Sequence, residues 1–236
     1  MAAQRLVFLL RRQPHLSRAQ FQQYWWDSHR PLVAARAETL GIRRYQQVHA
    51  REELDDTGLA PYDGIAELWV DVAPTGTPAE VASAGRELLE DEQRFIDLAN
   101  SPIFLGAEHL LHDGPRDGLR MTGVVARRPD VTREQFQEYW LAGHGRSVAG
   151  HLDAYGITHY VQVHAPVDAD KHPLAINRGA PPAPEGIAEA WLTTPTASTE
   201  MADRIRAEVR ERDTPFFDAS RIQRFLGEVR VVLDRH

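Results

Sequence analysis

The chain has 236 residues, of which 42% are hydrophobic and 26% are charged, and this composition predicts a folded protein with a packed core. Its formal net charge of −7 argues against broad binding to nucleic acid or to anionic membranes, and the lack of any cysteine excludes disulfides, thiolate metal sites and cysteine nucleophiles. The apolar run Leu6 to Leu10 is followed at once by arginines, so we expect a strand there, not a signal or spanning segment, and a cytoplasmic protein.

The sequence of the first half predicts six secondary-structure elements in the order β-α-β-β-α-β. A strand at about 4–11 leads to a helix that begins at Ser17, where a glutamine three residues later completes a capping box. Two strands follow, in "IRRYQQVHA" and "GIAELWVD". A second helix begins at Thr77, since "TPAE" supplies an N-cap, a first-turn proline and a glutamate. A last strand runs through roughly 103–112. This order is typical of a ferredoxin-like unit.

The second half repeats the first. "QFQQYWWDSH" (20–29) aligns with "QFQEYWLAGH" (135–144), "GIRRYQQVHA" (41–50) with "GITHYVQVHA" (156–165), and "DGIAELWV" (63–70) with "EGIAEAWL" (185–192). The second copy has seven additional residues within "VDADKHPLAINRGAPPAPE", whose Pro, Ala and Gly content predicts a surface loop. "DGPRDG" (113–118) is the predicted linker. The domains are therefore expected at 1–113 and 120–236.

A sheet covered by helices on one side leaves its other face bare. Two such units in one chain can bury these faces against each other. The duplication thus predicts an α+β fold, with two ferredoxin-like units fused in tandem and their sheets packed as an α+β barrel, an intrachain pseudo-dimer.

The first helix carries a stripe of three aromatic side chains on one face. Phe21, Trp25 and His29 are spaced four residues apart, and the second copy repeats them as Phe136, Trp140 and His144. Phe and Trp are expected to pack against the sheet. Two interpretations of the helix-end histidine stay open, a buried histidine bonded to a carbonyl or a general acid/base.

The strand that follows places Tyr45, Gln47 and His49 on one face, which we expect to look into the barrel, and Ile42 and Val48 on the other, towards the helices. The second copy has Tyr160, Gln162 and His164 against Ile157, Val161 and Val163. In the next strand Glu67 and Trp69, like Glu189 and Trp191, are also expected inside the barrel. These polar groups could form an inter-sheet network or line a small polar pocket, and both alternatives stay open.

Other polar clusters predict no site. His109 and His112 are three residues apart, which places their rings on opposite faces of a strand, so no metal site is expected. The carboxylates that end the second helices, among them Asp91 and Asp213, are expected to be solvated or to cap the helices.

These motifs together resemble the EthD family of dimeric α+β barrel proteins, over nearly the whole chain and in both halves. The quoted runs carry the resemblance, through F-x-x-Y-W…H, Y-x-Q-x-H and D/E-G-I-A-E-x-W. The resemblance implies a functional helix-end histidine at His29 and His144, and a functional strand tyrosine and histidine at Tyr45/His49 and Tyr160/His164. Fungal relatives act as dehydratases or decarboxylases without a cofactor. The second copy departs from the family's pattern at Gly145-Arg146, where the first copy has Arg30-Pro31.

The leading hypothesis is a cofactor-free enzyme that acts on a small aromatic, polyketide-like or terpenoid molecule by dehydration, decarboxylation, cyclisation or isomerisation. His29 or His144 would be the base, and Tyr45 and His49, or Tyr160 and His164, the donors. Binding residues would be Phe21, Trp25, Glu67 and Trp69 with Phe136, Trp140, Glu189 and Trp191. The alternatives are a haem-binding or oxygen-using monooxygenase and a non-catalytic binding protein. The expected partner is the small hydrophobic substrate, without nucleic acid or membrane, and the chain is expected to be a monomer or homodimer.

Overall fold

A computed structural model describes residues 4–54, 58–71, 73–194 and 196–235. Its strands are β1 (Gln4–Leu10), β2 (Ile42–Glu53), β3 (Gly64–Val70), β4 (Ile103–His112), β5 (Arg120–Val125), β6 (Ile157–His164), β7 (Gly186–Leu192) and β8 (Gln223–Asp234). Its α-helices are α1 (Arg18–Tyr24), α2 (Arg30–Arg36), α3 (Pro78–Glu92), α4 (Arg133–Tyr139), α5 (Arg146–Ala149), α6 (Leu152–Tyr155), α7 (Pro173–Arg178) and α8 (Thr199–Asp213).

The eight strands form one closed antiparallel barrel in the order β1-β3-β2-β8-β5-β7-β6-β4, in which β4 returns to β1. The two halves join along strand edges, since β2 pairs with β8 and β4 pairs with β6. No strand edge of this sheet stays open, which removes the usual risk of edge-to-edge association. The prediction of an α+β barrel closed within one chain is confirmed.

The helices begin where the sequence predicts. Ser17, Thr132 and Thr77 each cap a helix through a reciprocal capping box with the residue three positions later. Each of the two tryptophan-containing segments then widens into a π-helical turn, Trp25–His29 after α1 and Trp140–Gly145 after α4. Such turns are rare and are found mostly at functional sites.

Two apolar layers lie on opposite faces of the barrel wall. The inner layer fills the barrel with aliphatic and aromatic side chains from both halves, among them Val7, Val48, Phe104, Val163 and Ile187. The outer layer lies between the sheet and the helices of each half, and in the first half it includes residues of β1, α1 and β2. The barrel is therefore a packed core over part of its length and not an open channel.

One prediction about these layers is wrong. Tyr45, Gln47 and His49 face the helices, and Val48 faces the barrel interior, the reverse of the expectation from sequence. The second copy is arranged in the same way, with Tyr160 in the outer layer and Val161 and Val163 in the inner one. The cause is a β-bulge between Ile42 and Arg44, repeated between Ile157 and His159, which shifts the alternation by one residue. Ile42 itself does lie in the outer layer, as predicted.

The segment 167–185, which carries the seven additional residues of the second copy, is not a simple surface loop. It contains a short 3₁₀ turn, Ala169–Lys171, and helix α7, and it buries Ala169, Ala175 and Ala183. Helix α7 contacts β4 of the first half, so the insertion in the second copy packs onto the first copy. Because its alanines bury apolar surface there, the segment keeps one defined position over the helix layer.

The predicted linker crosses between β4, which ends at His112, and β5, which begins at Arg120. The outer domain limits at Met1 and His236 lie outside the described residues. None of the helices in the described residues is both long and apolar enough to cross a membrane.

Candidate active site

A cavity of about 770 Å³ lies between the sheet of the first half and its helices. Its floor is the outer face of the sheet, its sides are α2 and α3, and α7 from the second half closes it. Most of the wall is aliphatic or aromatic, and includes Leu6, Phe8, Val33, Ile42, Leu88 and Ile103. A largely apolar cavity with a few polar groups is the usual form of a small-molecule site.

His29 lines this cavity and is 5% exposed. Its Nδ1 lies 2.8 Å from Oδ2 of Asp91. The hydrogen bonds from His29 and, after the opposing effect of burial, from Tyr24 lower the pKa of the Asp91 carboxyl. An ionised carboxylate only accepts, so the imidazole donates Nδ1–H, and Nε2 is the atom that can exchange a proton with a bound molecule. No described residue hydrogen-bonds this Nε2.

The π-helical turn and the helix packed against it set the orientation of the histidine. His29 ends the turn that Trp25 begins, so its ring leaves the helix over the cavity and packs against Phe95, with 5.1 Å between ring centroids. The Tyr24 hydroxyl donates to the other oxygen of Asp91 at 2.7 Å. Both carboxylate oxygens of Asp91 are thus hydrogen-bonded, and this holds the His29 ring at its Nδ1 side.

Tyr45 supplies a second polar group to the cavity wall. Its hydroxyl accepts a hydrogen bond from Nε2 of Gln47 at 2.7 Å, and Gln47 also donates to the Trp25 carbonyl at 3.3 Å. Burial raises the pKa of Tyr45 well above its usual value, so the phenol stays protonated. No acceptor among the described residues takes its proton, and the hydroxyl can donate to a bound molecule.

Glu92 and Arg178 form a buried ion pair on the same wall. Nε and Nη2 of Arg178 each lie 2.8 Å from a different oxygen of Glu92, a bidentate arrangement. Arg178 comes from α7, so this pair anchors the insertion of the second half to the cavity of the first. Because the two charges cancel, the wall offers little net charge to a ligand.

The second half repeats the histidine arrangement. His144 Nδ1 lies 2.9 Å from Oδ2 of Asp213, and the Tyr139 hydroxyl donates to Oδ1 of Asp213 at 3.0 Å. Burial, together with the Asp213 charge, raises the pKa of Tyr139 to about 12. The His144 side chain is 21% exposed against 7% for His29. Thr214 occupies the position that Glu92 has in the first copy.

Comparison with known proteins assigns the family. The EthD domain matches residues 13–99 and 128–220, which is most of the chain and one match in each half. The chain belongs to the EthD family. The resemblance expected from the repeated motifs is thereby confirmed. No curated protein matched the chain.

Several solved structures have a fold similar to that of this EthD chain. An anthrone oxidase-like protein is 10% identical, with a TM-score of 0.56 over 100% of this chain and 95% of that one. A "putative monooxygenase" from Lactobacillus acidophilus NCFM is 8% identical, with a TM-score of 0.50 over 100% and 98%. A "putative monooxygenase" from Fusobacterium nucleatum is 8% identical, with a TM-score of 0.50 over 98% and 94%. At these identities the similarity is one of fold.

The EthD chain separates the residues that the sequence groups into one site. Of the candidates on the helix side, His29 and Tyr45 line the cavity. Phe21 and Trp25 are fully buried beneath it and form no part of the described wall, contrary to expectation, because they pack against the sheet and each other. Phe136 and Trp140 are buried in the same way in the second half.

His49 and His164 are structural partners of the tryptophans. His49 stacks on Trp25 with 4.8 Å between centroids, and His164 stacks on Trp140 with 4.4 Å. Nε2–H of each histidine donates to the side-chain oxygen of the glutamine two residues earlier, at 2.8 Å for His49 and 3.0 Å for His164. Burial is the main cause that lowers the pKa of each histidine to about 3, so both are neutral at pH 7. Of the two strand residues expected as donors in the first half, Tyr45 lines the cavity and His49 does not.

Glu67, Trp69, Glu189 and Trp191 do point into the barrel, as expected, and therefore lie on the opposite side of the sheet from His29. They belong to a separate cluster with two arginines at one end of the barrel. Both alternatives left open by the sequence occur there, a buried network and a small polar pocket.

Sequence reasoning missed the carboxylates that hold the histidines. Asp91 and Asp213 were expected to be solvated or capping, but Asp91 is 9% exposed and each bonds a histidine. The sequence does contain a signal for these aspartates. Each stands four residues before a phenylalanine, Asp91 before Phe95 and Asp213 before Phe217, so the spacing repeats in the two copies. Glu92 and Arg178 carried no such signal, because only the folded chain brings the insertion against the first half.

Proposed function

We propose that the helix-side cavity of the first half is the active site of an enzyme that removes a proton from a small, largely apolar organic molecule. The observation that carries this proposal is the Asp91-bound imidazole of His29, whose Nε2 is free at the end of an apolar cavity. A histidine held in one tautomer by a carboxylate is a standard general base.

In this proposal His29 takes the proton at Nε2, and Asp91 stabilises the imidazolium through the Nδ1–H bond. The Tyr45 hydroxyl donates a hydrogen bond to the oxygen on which negative charge develops, such as that of an enolate or phenolate. Gln47 holds that hydroxyl from the other side. The anion formed can expel a β-hydroxyl group as water with the proton returned by His29, cyclise onto a carbonyl, or be reprotonated at another carbon. A β-keto acid would instead reach the same kind of enolate by losing carbon dioxide, and none of these steps requires a cofactor.

The wall supports an aromatic or polyketide-like substrate. Apolar side chains such as Phe8 and Ile103 offer area for a flat hydrocarbon body, and the Glu92–Arg178 pair adds no net charge. The other charged pair of groups on the wall, Asp71 and Arg86, also sums to no net charge, so the wall does not favour an ionic substrate of either sign. A neutral phenol or ketone fits these conditions best.

A second candidate function is oxygenation, and the names of two kinds of fold neighbour favour it, the anthrone oxidase-like protein and the proteins named as monooxygenases. The same proton abstraction from a CH₂ group would give a carbanion that reduces O₂. The resulting hydroperoxide would lose water, so that R₂CH₂ and O₂ become R₂C=O and H₂O. His29 would be needed in both candidates.

Haem binding is the remaining oxygen-dependent alternative. Nε2 of His29 has no hydrogen-bond partner among the described residues and Asp91 on Nδ1 would orient the ring, so His29 could hold the haem iron as one protein ligand. Haem would supply redox iron at that nitrogen. A Soret band after reconstitution with hemin, lost in His29→Ala, would support this alternative.

The test of the proposal uses anthrone as the probe. Under argon in D₂O, the wild-type chain should accelerate deuterium exchange into the CH₂ group, followed by NMR, and His29→Ala should lower that acceleration about 10²–10⁴-fold. His144→Ala is the matched control. Oxygen uptake in air then separates the two candidates. A ligand that raises the melting temperature without exchange or turnover would instead support a non-catalytic binding protein.

In this proposal the two halves of the chain have different roles. We propose residues 1–113 and 120–236 as two ferredoxin-like units, each with the strand order 4-1-3-2 seen in β4-β1-β3-β2 and β8-β5-β7-β6. The first holds the working site in this proposal, and the second supplies the insertion that closes it.

A further inference from the structure

The barrel interior holds a cluster of four buried charged residues, Arg5, Glu67, Arg120 and Glu189, which are 0–3% exposed. Arg120 binds Glu67 through two nitrogens at 2.8 and 3.0 Å, and Arg5 reaches Glu67 at 2.7 Å. Both arginines also contact Glu189. Each half contributes one arginine and one glutamate at equivalent positions of the repeat.

The cluster keeps a positive charge at neutral pH. Burial alone would raise the pKa of Glu67, but Arg120 and Arg5 outweigh it and hold the pKa well below its usual range. Burial raises the pKa of Glu189 to about 8, since Arg120 and Arg5 offset only part of its effect and the adjacent Glu67 adds to it. One carboxylate therefore faces two guanidinium groups.

A cavity of about 310 Å³ opens from this cluster to the end of the barrel. Its wall combines two indole rings, Trp69 and Trp191, with three arginines, Arg5, Arg44 and Arg116. Glu108 and Glu189 are the two carboxyl groups on the same wall, so its arginines outnumber its carboxyl groups. The cavity is thus cationic although the chain as a whole carries −7.

Several donors in this region have no partner. The Nε atoms of Arg5, Arg44 and Arg120 are buried and hydrogen-bond to nothing in the part of the chain that is described. Arg5 and Arg44 line the cavity, and the nearest carboxylate to Nε of Arg44, that of Asp234, is 3.9 Å away. A buried donor without an acceptor costs free energy that a bound anion would recover.

The linker completes the cavity on one side. Arg116 and Gly118, from the segment that joins the two halves, lie on the wall. The Nε of Arg116 approaches Nδ1 of His159 at 3.4 Å, and its guanidinium lies 5.7 Å from the Trp191 ring. In the other half Arg44 takes the position equivalent to His159, with its guanidinium 4.7 Å from Trp69. The cavity therefore depends on the fusion of the two halves.

We propose that this end of the barrel is a second ligand site, separate from the helix-side cavity, and that it binds a small planar carboxylate such as an aromatic acid. The carboxylate lies against Arg44 and Arg5, and the flat body lies between the two indole rings. A guanidinium matches a carboxylate in shape and charge, and an indole face matches a planar ring. The volume admits such a molecule.

Benzoate is the probe, and benzamide is its neutral counterpart. Isothermal titration of the full-length chain should show benzoate binding and at least about tenfold weaker benzamide binding. Arg44→Gln should weaken benzoate binding about tenfold or more, and Arg116→Gln should weaken it less. Both side chains are at the rim, 30% and 45% exposed, so the fold should survive their replacement.

Two controls locate the binding. Arg43→Gln changes the adjacent, exposed arginine that pairs with Asp71, and benzoate affinity should stay unchanged. His29→Ala should leave it unchanged as well, so that failure of the proposed catalysis and failure of this site are distinguishable. The proposal is overturned if benzoate does not bind at millimolar concentration, if benzamide binds equally well, or if Arg44→Gln has no effect while His29→Ala abolishes binding.

Discussion

Asp91 accepts a hydrogen bond from His29 at 2.8 Å, and the pair recurs in the second half between Asp213 and His144 at 2.9 Å. The two pairs differ in what surrounds them. His29 lines a large apolar cavity that α7 closes, and His144 is more exposed. The geometry was therefore inherited by both copies, and the cavity around it makes the first copy the candidate site.

Asp91→Asn should lower kcat about 10–100-fold, because an amide cannot fix and stabilise the imidazole as a carboxylate does. KM should change little, since Asp91 is not on the cavity wall. Anthrone and its analogues are first tested as substrates. Steady-state kinetics with the one that is turned over would then measure kcat and KM. Asp213→Asn is the matched control, and an equal loss in both variants would contradict the assignment of the site to the first half.

Trp25→Ala should destabilise the fold by about 3–5 kcal/mol, because the indole is fully buried between Phe21 and His49 and its removal leaves a cavity. Chemical denaturation gives the free energy of unfolding. Trp26→Ala, at the half-buried neighbour that stacks with Arg30, should cost about 1 kcal/mol. Equal costs for the two would show that the first indole is not a core residue.

Arg178→Leu should destabilise the chain by about 3–5 kcal/mol, because it leaves Glu92 as a buried charge without a partner. The double variant Glu92→Leu/Arg178→Leu should regain most of that loss, since two apolar side chains suit the wall. Urea denaturation of both single variants and the double variant measures the coupling. For comparison, Arg36→Ala removes an exposed pair with Glu87 and should have little effect. Additive losses would rule out a direct contact between α7 and α3.

Glu189→Gln should change how stability depends on pH. The carboxyl has an ordinary value of 4.5 when unfolded and a pKa of about 8 when folded, so the folded chain holds an extra proton between these values. The free energy of unfolding from this group therefore falls as pH rises from about 4.5 to about 8, by at most about 1.4 kcal/mol per unit. The amide cannot ionise, so this decline should disappear.

Denaturation at pH 5, 6, 7 and 8 measures the slope. Glu108→Gln, at a half-exposed carboxylate bonded to the same Arg5, should keep the decline of the wild type. A Glu189→Gln slope identical to that of the wild type would show that Glu189 is ionised in the folded chain.

Residues 1–116 alone should form dimers or aggregate. Without the second half, β2 and β4 lose their partners β8 and β6, and the inner apolar layer loses about half of its side chains. Sedimentation of the fragment measures its association state, and the full chain is the reference. A folded, soluble monomer of the fragment would contradict the dependence of each half on the other.

Much of the architecture could be predicted from residues alone because it rests on short-range rules. The capping boxes at Ser17, Thr77 and Thr132 follow from side chains three residues apart, and strand periodicity defined β1 to β8 closely. The prediction failed at the Tyr45 strand because a one-residue bulge at its start reverses every side chain that follows. No local pattern marks that bulge.

The sequence by itself determined the duplication, the family and the β-α-β-β-α-β order of each half, because these are written in repeated motifs and local periodicity. It also singled out His29 and Tyr45. Tertiary structure alone decided which face of the sheet they occupy, that Asp91 holds the histidine, and that Glu92 meets Arg178. It also separated Glu67 and Trp69 into a second cavity. These relationships join residues far apart in the chain, and only the closed barrel, with an insertion from one half lying on the other, brings them together.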